Sequence, residues 1–323
     1  MGNQSVKSQD LIGESKEEEG FIGEDTIQYG YILAKGRRPY MEDFIKCQIN
    51  YPERLVPHLG FFAVFDGHGG SRVAEHLESH LLDIFMATKF MNDDEKYLTS
   101  ENIEAALNES FLQADEEVKR LSPMLTTITR RSRVNPLKTV KTEMYRGVET
   151  MGSTTTVVIL TPKLIVVAHA GDSRAILVRG GKVAYSTEDH HPTVPAERKR
   201  IEEGGGEVRD NRVNGILAVS RALGDGMFKE ESHLPIEKQL VTPVPVIKAI
   251  ERSDDDEYIL IASDGLWAVM NNDVTVSFLS QSERMENLLA GRTSMVVSEL
   301  LHECVVNRRS RDNVSMILVK LRK

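Results

Sequence analysis

Three short apolar runs, far apart in the chain, each have an aspartate at one end. The aspartates are Asp66, Asp264 and Asp312. The runs that they adjoin are residues 61–65, 258–262 and 314–319. Short apolar runs bounded by turn residues are typical of buried strands. One Asp-Gly pair alone would indicate only a turn, but three strands with a terminal aspartate predict one shared, oxygen-rich metal site.

The length of 323 residues allows one large domain or two. No Pro/Gly/Ser-rich linker divides the chain, and residues that must converge on the candidate site extend from 43 to 312, so we predict one catalytic domain over residues 25–323. Residues 1–24 are polar, contain glycines and include three consecutive glutamates at 17–19. That composition predicts a flexible N-terminal segment.

Charge and cysteine content exclude several classes of protein. The 49 acidic and 40 basic residues give a net charge of −9, which disfavours nucleic-acid binding because phosphate contacts need a basic face. Two cysteines, Cys47 and Cys304, cannot form a disulfide framework and are expected to be reduced. No apolar stretch approaches the roughly 18 residues needed to span a bilayer. We expect a monomer in the cytoplasm, the nucleus or both.

Membrane association remains open through Gly2, which follows the initiating methionine as in myristoylated proteins. That pattern requires Ser or Thr at position 6, where this chain has Val6.

Strand and helix patterns are both abundant but do not alternate regularly. Residues 154–185 form a series of β-branched runs separated by turns, and a helix is predicted from Pro195 to Glu203, with proline at its start and glycines after its end. This order favours an α+β fold with antiparallel sheets and packed helices. Residues 122–148 have weak periodicity and almost no acidic residues, which predicts an inserted loop; a docking site for an acidic partner is the alternative.

Seven carboxylates lie at predicted strand ends or in turns. If several converge without lysine or arginine, cations must offset their repulsion, and all-oxygen ligands suit Mg²⁺ or Mn²⁺. Two such ions about 4 Å apart can share a hydroxide and polarise a phosphoryl group. Gly67, which has no Cβ, allows close approach of a backbone carbonyl to an ion. The carboxylates are Glu42, Asp43, Asp66, Asp172, Asp225, Asp264 and Asp312.

Two further side chains could supply a proton donor and an anion-binding group. His68 lies two residues after Asp66, and its ordinary pKa near 6.5 suits it to protonate a leaving alkoxide. Arg38 offers a planar donor fork that matches phosphate. Together with the metals, these residues predict hydrolysis of a phosphate ester.

Eight segments combine these residues in a recognisable order. They are 38–43 (RPYMED), 65–70 (FDGHGG), 152–155 (GSTT), 170–174 (AGDSR), 189–192 (DHHP), 217–225 (LAVSRALGD), 263–267 (SDGLW) and 311–315 (RDNVS). This set closely resembles the metal-dependent protein phosphatase family (protein phosphatase 2C) over about residues 26–321. The resemblance implies a four-layer αββα sandwich of two antiparallel β-sheets flanked by helices, with the metals in a cleft at one end.

The resemblance also implies roles for residues that match the family's motifs. Asp66 would bridge two metal ions, and Asp264 and Asp312 would be direct ligands. The Gly67 carbonyl would serve the second ion, while Glu42 and Asp43 would hold metal-bound waters. Arg38 would bind the substrate phosphate, His68 would be the general acid, and residues 187–237 would form a flap beside the cleft.

A third ion is expected to be weak or absent. Asp172 is present, but Ala268 stands where family members that bind a third ion often have aspartate. The implied function is a metal-dependent serine/threonine phosphoprotein phosphatase acting on phosphoserine and phosphothreonine proteins.

Two alternative functions, an inactive scaffold and a phosphatase for small esters, predict different features. A catalytically inactive scaffold would lack Asp66, Asp264 or Asp312, and all three are present. A phosphatase for small phosphate esters would share the metals but have a tighter cleft. Comparing the turnover of phosphopeptides with that of small esters would distinguish it from a phosphoprotein phosphatase.

Overall fold

A computed structural model describes residues 15–22, 25–50, 59–91, 98–121, 124–131, 139–146 and 150–321. Gly2 lies outside these ranges, so the expectation of lipidation stays a prediction. In chain order the strands are β1 (Ser15–Ile22), β2 (Asp25–Ala34), β3 (Asp43–Ile49), β4 (Gly60–His68), β5 (Met124–Arg131), β6 (Thr139–Arg146), β7 (Gly152–Leu160), β8 (Leu164–Ala170), β9 (Arg174–Arg179), β10 (Lys182–Ser186), β11 (Val208–Arg209), β12 (Arg212–Val213), β13 (Leu223–Gly224), β14 (Val246–Glu251), β15 (Asp256–Ala262) and β16 (Val314–Lys320).

The helices fall into two groups along the chain, one before and one after the central strands, with a single helix between them. They are α1 (Arg72–Ala87), α2 (Ser100–Val118), α3 (Pro195–Glu203), α4 (Asp264–Trp267), α5 (Asn272–Leu279), α6 (Ser282–Leu289) and α7 (Thr293–His302). A π-helical turn, Glu303–Asn307, continues α7. Among the described helices, none is long and apolar enough to cross a membrane.

Two antiparallel sheets form the centre of the fold. One has the strand order β1-β2-β16-β15-β9-β10, and the other has the order β14-β8-β7-β4-β3, with the short β13 paired to β7. Side chains of β4 alternate between two environments. Phe62 and Val64 pack with Ile259 and Ile317 of the facing sheet, and the intervening residues face the helices. This period of two is what a strand buried on both faces requires.

The helices cover the outer face of each sheet. Leu77 of α1 and Phe111 of α2 pack against the second sheet, in a core that includes Phe61. Val297 and Leu301 of α7 pack against the first sheet. The fold is therefore the predicted α+β sandwich with four layers, helix–sheet–sheet–helix.

Within the N-terminal segment predicted to be flexible, residues 15–22 form the edge strand β1. Its acidic run is used structurally, because Glu17 accepts hydrogen bonds from the Ser294 backbone N–H at 2.9 Å and from its hydroxyl at 3.0 Å. Glu18 accepts one from the Tyr29 hydroxyl at 2.5 Å. A carboxylate at the N-terminus of α7 is favoured by the helix dipole. Residues 1–14 and 23–24 lie outside the described ranges.

Two strands lie within the predicted insertion at 122–148. Strands β5 and β6 pair with each other in full register, from Met124 opposite Arg146 to Arg131 opposite Thr139. Four successive β-branched residues at 126–129 favour extended backbone, which the weak helical periodicity did not reveal. Residues 122–123, 132–138 and 147–149 lie outside the description.

Candidate metal and phosphate site

The sheets bring the predicted aspartates together at one end of the sandwich. In the second sheet, Asp43 of β3 pairs in register with Asp66 of β4. In the first sheet, β15 leads into Ser263, whose hydroxyl accepts a hydrogen bond from the Ser315 backbone N–H at 3.0 Å. This bond fastens Asp264, the first residue of α4, beside the start of β16.

Mutual repulsion shows that five carboxylates share this end. Burial raises the pKa of Asp66 well above its ordinary value, and the charges of Asp43, Asp264, Asp172 and Asp312 raise it further. Burial is the larger cause, and repulsion from neighbouring carboxylates the smaller one, of a rise in the pKa of Asp264 to about 8. Burial raises the pKa of Asp43 to about 6, although the Ser315 and Ser263 hydroxyls counteract it. Such shifts arise where like charges converge away from water.

Glycines allow the backbone segments of the site to approach one another. A Cβ on Gly67 would overlap the Glu42 carbonyl oxygen, and a Cβ on Gly265 would overlap the Asn313 carbonyl oxygen. The sequence prediction assigned the small size of Gly67 to the approach of an ion. The structure gives a second reason for glycine at position 67, because the Gly67 backbone lies directly against the Glu42 carbonyl.

Asn313 connects the two sheets at the site and was not among the predicted site residues. Its side-chain oxygen accepts the Glu42 backbone N–H at 2.9 Å, while its amide donates to the Lys35 and Tyr40 carbonyls at 2.8 and 3.0 Å. It therefore fixes the turn that holds Arg38, Glu42 and Asp43. Only its neighbour Asp312 gave a sequence signal.

Arg38 lies at the mouth of the site. Its Nη2 donates to Asp312 Oδ2 at 2.6 Å, and its side chain is 51% exposed. The hydrogen bond to Asp312 raises the pKa of Arg38 above its already high value, against the effect of burial. The guanidinium is thus held beside the acidic cluster yet accessible to an anion.

His68 is bound to a carboxylate that comes from a distant turn. Its Nε2 lies 2.7 Å from Asp225 Oδ2, and the Asp225 side chain is only 2% exposed. Burial alone would lower the pKa of His68, but the charge and hydrogen bond of Asp225 outweigh it, so the pKa is raised. A Cβ on Gly152 would overlap both side chains, so glycine at that position of β7 makes the contact possible.

Asp172 and Ala268 are the two residues on which the expectation of a weak third ion rests. Burial raises the pKa of Asp172, and its charge contributes to the raised pKa of both Asp66 and Asp264. Ala268 is exposed one helical turn after Asp264, and its N–H donates to the Asp264 carbonyl at 2.8 Å.

The donor set fits a hard divalent cation. Its ligating atoms are carboxylate and carbonyl oxygens, as Mg²⁺ and Mn²⁺ prefer. One oxygen of Asp43 is buried without a hydrogen-bond partner, and the charge of Arg38 only partly offsets the repulsion that the other carboxylates exert on Asp264. Within the described ranges, no three Asp, Glu, His or Cys side chains are already arranged around a single point.

The predicted flap, residues 187–237, contains α3, the β11–β12 hairpin and a small core of its own that includes Ile201 and Val213. A second buried carboxylate, Glu197, organises it. Glu197 accepts hydrogen bonds from Arg200 at 2.6 Å, Arg221 at 2.7 Å and the Ser220 hydroxyl at 2.6 Å. Burial opposes its charge, but these partners prevail and lower the pKa of Glu197 to about 2.

Known proteins are similar to this chain in sequence and in architecture. The family model for protein phosphatase 2C matches residues 27–314. Human protein phosphatase 1A is 36% identical over 295 residues, which are 91% of this chain and 70% of that protein. Human protein phosphatase 1B is 35% identical over 298 residues, which are 91% of this chain and 57% of that protein. This chain thus spans only part of the length of these relatives.

Solved structures agree at the level of the fold. The crystal structure of a phosphatase from Toxoplasma gondii superposes with a TM-score of 0.72 at 22% identity, covering 96% of both chains. A serine-threonine phosphatase 2C from the same organism gives 0.68 at 19% identity, covering 96% of this chain and 99% of that one. With the family model matching nearly nine tenths of its length, the chain belongs to the protein phosphatase 2C family.

Proposed function

We propose that this protein is a serine/threonine phosphoprotein phosphatase that requires Mg²⁺ or Mn²⁺. The observation that carries the proposal is the convergence of five carboxylates at one end of the sandwich, beside an accessible arginine and a carboxylate-bound histidine. Membership of the protein phosphatase 2C family supports it.

Asp66, Asp264 and Asp312 would hold two ions, with Asp43, Glu42 and the Gly67 carbonyl beside them. When bound, the ions would supply the positive charge and Lewis acidity that phosphate ester hydrolysis needs. Arg38 binds the phosphate through its planar guanidinium, which fixes the orientation of the phosphorus towards the acidic cluster.

His68 supplies the proton for the leaving alkoxide. Because Nε2 is bound to Asp225, Nδ1 is the nitrogen that can face the substrate oxygen. The oxygen of a water molecule bonds to phosphorus as the ester P–O bond breaks, and the proton moves from Nδ1 to the departing serine or threonine oxygen, which releases the alcohol and inorganic phosphate. Asp225 stabilises the protonated ring and orients it, as a buried carboxylate commonly does for a catalytic histidine.

The proposal is tested by His68→Ala with two substrates. The kcat for a phosphoserine peptide should fall by roughly 10²- to 10⁴-fold, because alkoxide is a poor leaving group that needs a proton. The kcat for nitrophenyl phosphate should fall much less, because its leaving group is stable as an anion. Equal losses on both substrates would remove His68 from the acid role.

The alternatives give different results in the same assay. A scaffold would hydrolyse neither substrate at any Mg²⁺ or Mn²⁺ concentration. An enzyme for small esters would turn over nitrophenyl phosphate but not phosphopeptides. Full activity after dialysis against excess chelator would contradict the metal requirement.

A further inference from the structure

Asp115 of α2 and Lys229, which follows the turn that carries Asp225, form a buried ion pair. Lys229 Nζ lies 2.5 Å from Asp115 Oδ1, and both side chains are only 1% exposed. The two residues are 114 positions apart, and neither stood out in the sequence. Moving two charges out of water is costly, so a buried pair of this kind is weak support for stability by itself.

The remaining hydrogen bonds of the pair go to the turn between Ala222 and Lys229. Asp115 Oδ1 accepts the Gly224 backbone N–H at 2.9 Å, and Lys229 Nζ donates to the Ala222 carbonyl at 2.9 Å. The pair therefore binds the turn at its start, its middle and its end, and it attaches all three points to α2.

This turn has a backbone that needs such support. Gly224 has a φ of +82° and Asp225 a φ of +51°, and the left-handed region is unfavourable for a residue with a side chain. On its other side the turn is held to β7 by the two-residue strand β13, and to the residue before β7 by the bond from the Asp225 N–H to the Met151 carbonyl at 2.7 Å. The position of the Asp225 carboxylate thus depends on attachments to α2 and to β7.

We propose that Asp115 and Lys229 are positioning residues for the proton donor, holding Asp225 where it can bind His68. The inference rests on the proposed function, since it gives the pair a purpose in leaving-group protonation. Neither residue touches the substrate. Their effect passes through the turn to Asp225 and from Asp225 to the imidazole.

Lys229→Met removes the charge while filling most of the space. We expect kcat for a phosphoserine peptide to fall about 10- to 100-fold, the size of effect that a displacement near 1 Å can produce, while nitrophenyl phosphate falls less than about twofold. Lys119→Met is the matched control, because Lys119 approaches the same carboxylate at 3.6 Å but is one third exposed and makes no described bond to the turn. It should change neither rate.

A second comparison separates positioning from general damage. In a His68→Ala background, Lys229→Met should cause no further loss with the phosphopeptide, because the group being positioned is gone. Asp115→Asn, which keeps an acceptor for the Gly224 N–H, should show the same leaving-group dependence in a weaker form and covers the case in which Lys229→Met does not fold. Equal losses on both substrates, or additive losses with His68→Ala, would overturn the proposal.

Failure of the proposed function would be recognisable separately, since the wild type would then hydrolyse neither substrate. In that event the ring ¹⁵N shifts of His68 still test the inference. They should change in Lys229→Met and stay unchanged in Lys119→Met, and unchanged shifts in both would refute it.

Discussion

The carboxylates of the candidate metal site and the buried Glu197 of the flap have opposite electrostatics. At the metal site, Asp264 faces other carboxylates, and its pKa is raised to about 8. In the flap, Glu197 is enclosed by two arginines and a serine hydroxyl, and its pKa is lowered to about 2. Burial opposes the charge in both places, so the partners decide the outcome.

The difference separates a functional from a structural use of charge. A carboxylate that has all its ionic and hydrogen-bonding partners already stabilises the folded chain. Its removal therefore mainly lowers the free energy of unfolding. A carboxylate held among like charges keeps its capacity to bind a cation, and this repulsion is a strain that the fold carries until the cation arrives.

The largest expected effect would follow from neutralising the metal site. Asp66→Asn and Asp264→Asn should each reduce phosphopeptide hydrolysis by about 10³-fold or more, because several kcal/mol of charge stabilisation depend on the ions they hold. The melting temperature without metal should stay the same or rise, since one repelling charge is gone. Asp254→Asn, an exposed control, should leave both unchanged. A large loss of stability in Asp66→Asn or Asp264→Asn would contradict the contrast between the candidate metal site and the flap.

Neutralising the flap acid should give the reverse pattern. Glu197→Gln leaves the buried Arg200 and the partly buried Arg221 with reduced compensation, so the free energy of unfolding in a urea titration should fall by roughly 3–5 kcal/mol. The kcat of the protein that remains folded should change less than tenfold. Glu202→Gln on the exposed face of α3 should cost under about 0.5 kcal/mol. Equal stability of the two variants would show that Glu197 is not the centre of the flap.

A pH titration should sharpen the comparison through His190, which is buried next to Glu197. Burial, then the charges of His169, Arg221 and Arg200, lower the pKa of His190 to about 2 against the opposite pull of Glu197. The folded pKa is depressed, so the unfolded state binds the proton first and stability falls as the pH drops below about 6.5. The expected loss is about 2 kcal/mol between pH 7 and pH 5.

His190→Asn should flatten that slope by the same amount. His233→Asn, at a 71% exposed side chain, should leave it unchanged. Identical slopes for wild type and His190→Asn would mean that His190 is not held neutral in the folded protein.

The smallest effect concerns Ala268. Ala268→Asp adds a carboxylate one turn from Asp264, so an extra Mn²⁺ or Mg²⁺ should bind more tightly by about 1 kcal/mol, within the range of one charge-assisted contact. Titration calorimetry of both proteins would measure it, with Ala268→Asn as the uncharged control. Unchanged stoichiometry and affinity would show that position 268 does not face the cluster.

The predictable part of the site consisted of residues with a local signal. Asp66, Asp264 and Asp312 each adjoin an apolar run, and the structure brings their strand ends together. A helix at about Pro195–Glu203 was also predictable, because proline and glycine mark its two ends, and the structure has it there.

The remaining features depend on partners remote in sequence. The glutamates of β1 fall in a segment predicted to be flexible, since nothing nearby in the sequence indicates that Glu17 meets the N-terminus of α7 some 277 residues later. Asp225 was recognised as a carboxylate of the site, but its contact with His68 depends on a left-handed turn and on Gly152. Asp115 and Lys229 had no pattern at all, because a single charge on a helix is ordinarily exposed.

The single tryptophan of the chain lies three residues after Asp264. The Trp267 indole donates to the Ala262 carbonyl at 2.8 Å, and the Arg174 guanidinium stacks on its ring at 4.9 Å. Its emission is therefore free of contributions from other indoles and arises beside the acidic cluster. Steady-state and stopped-flow fluorescence can thus report directly, without an attached dye, on how fast and how tightly cations enter this end of the sandwich.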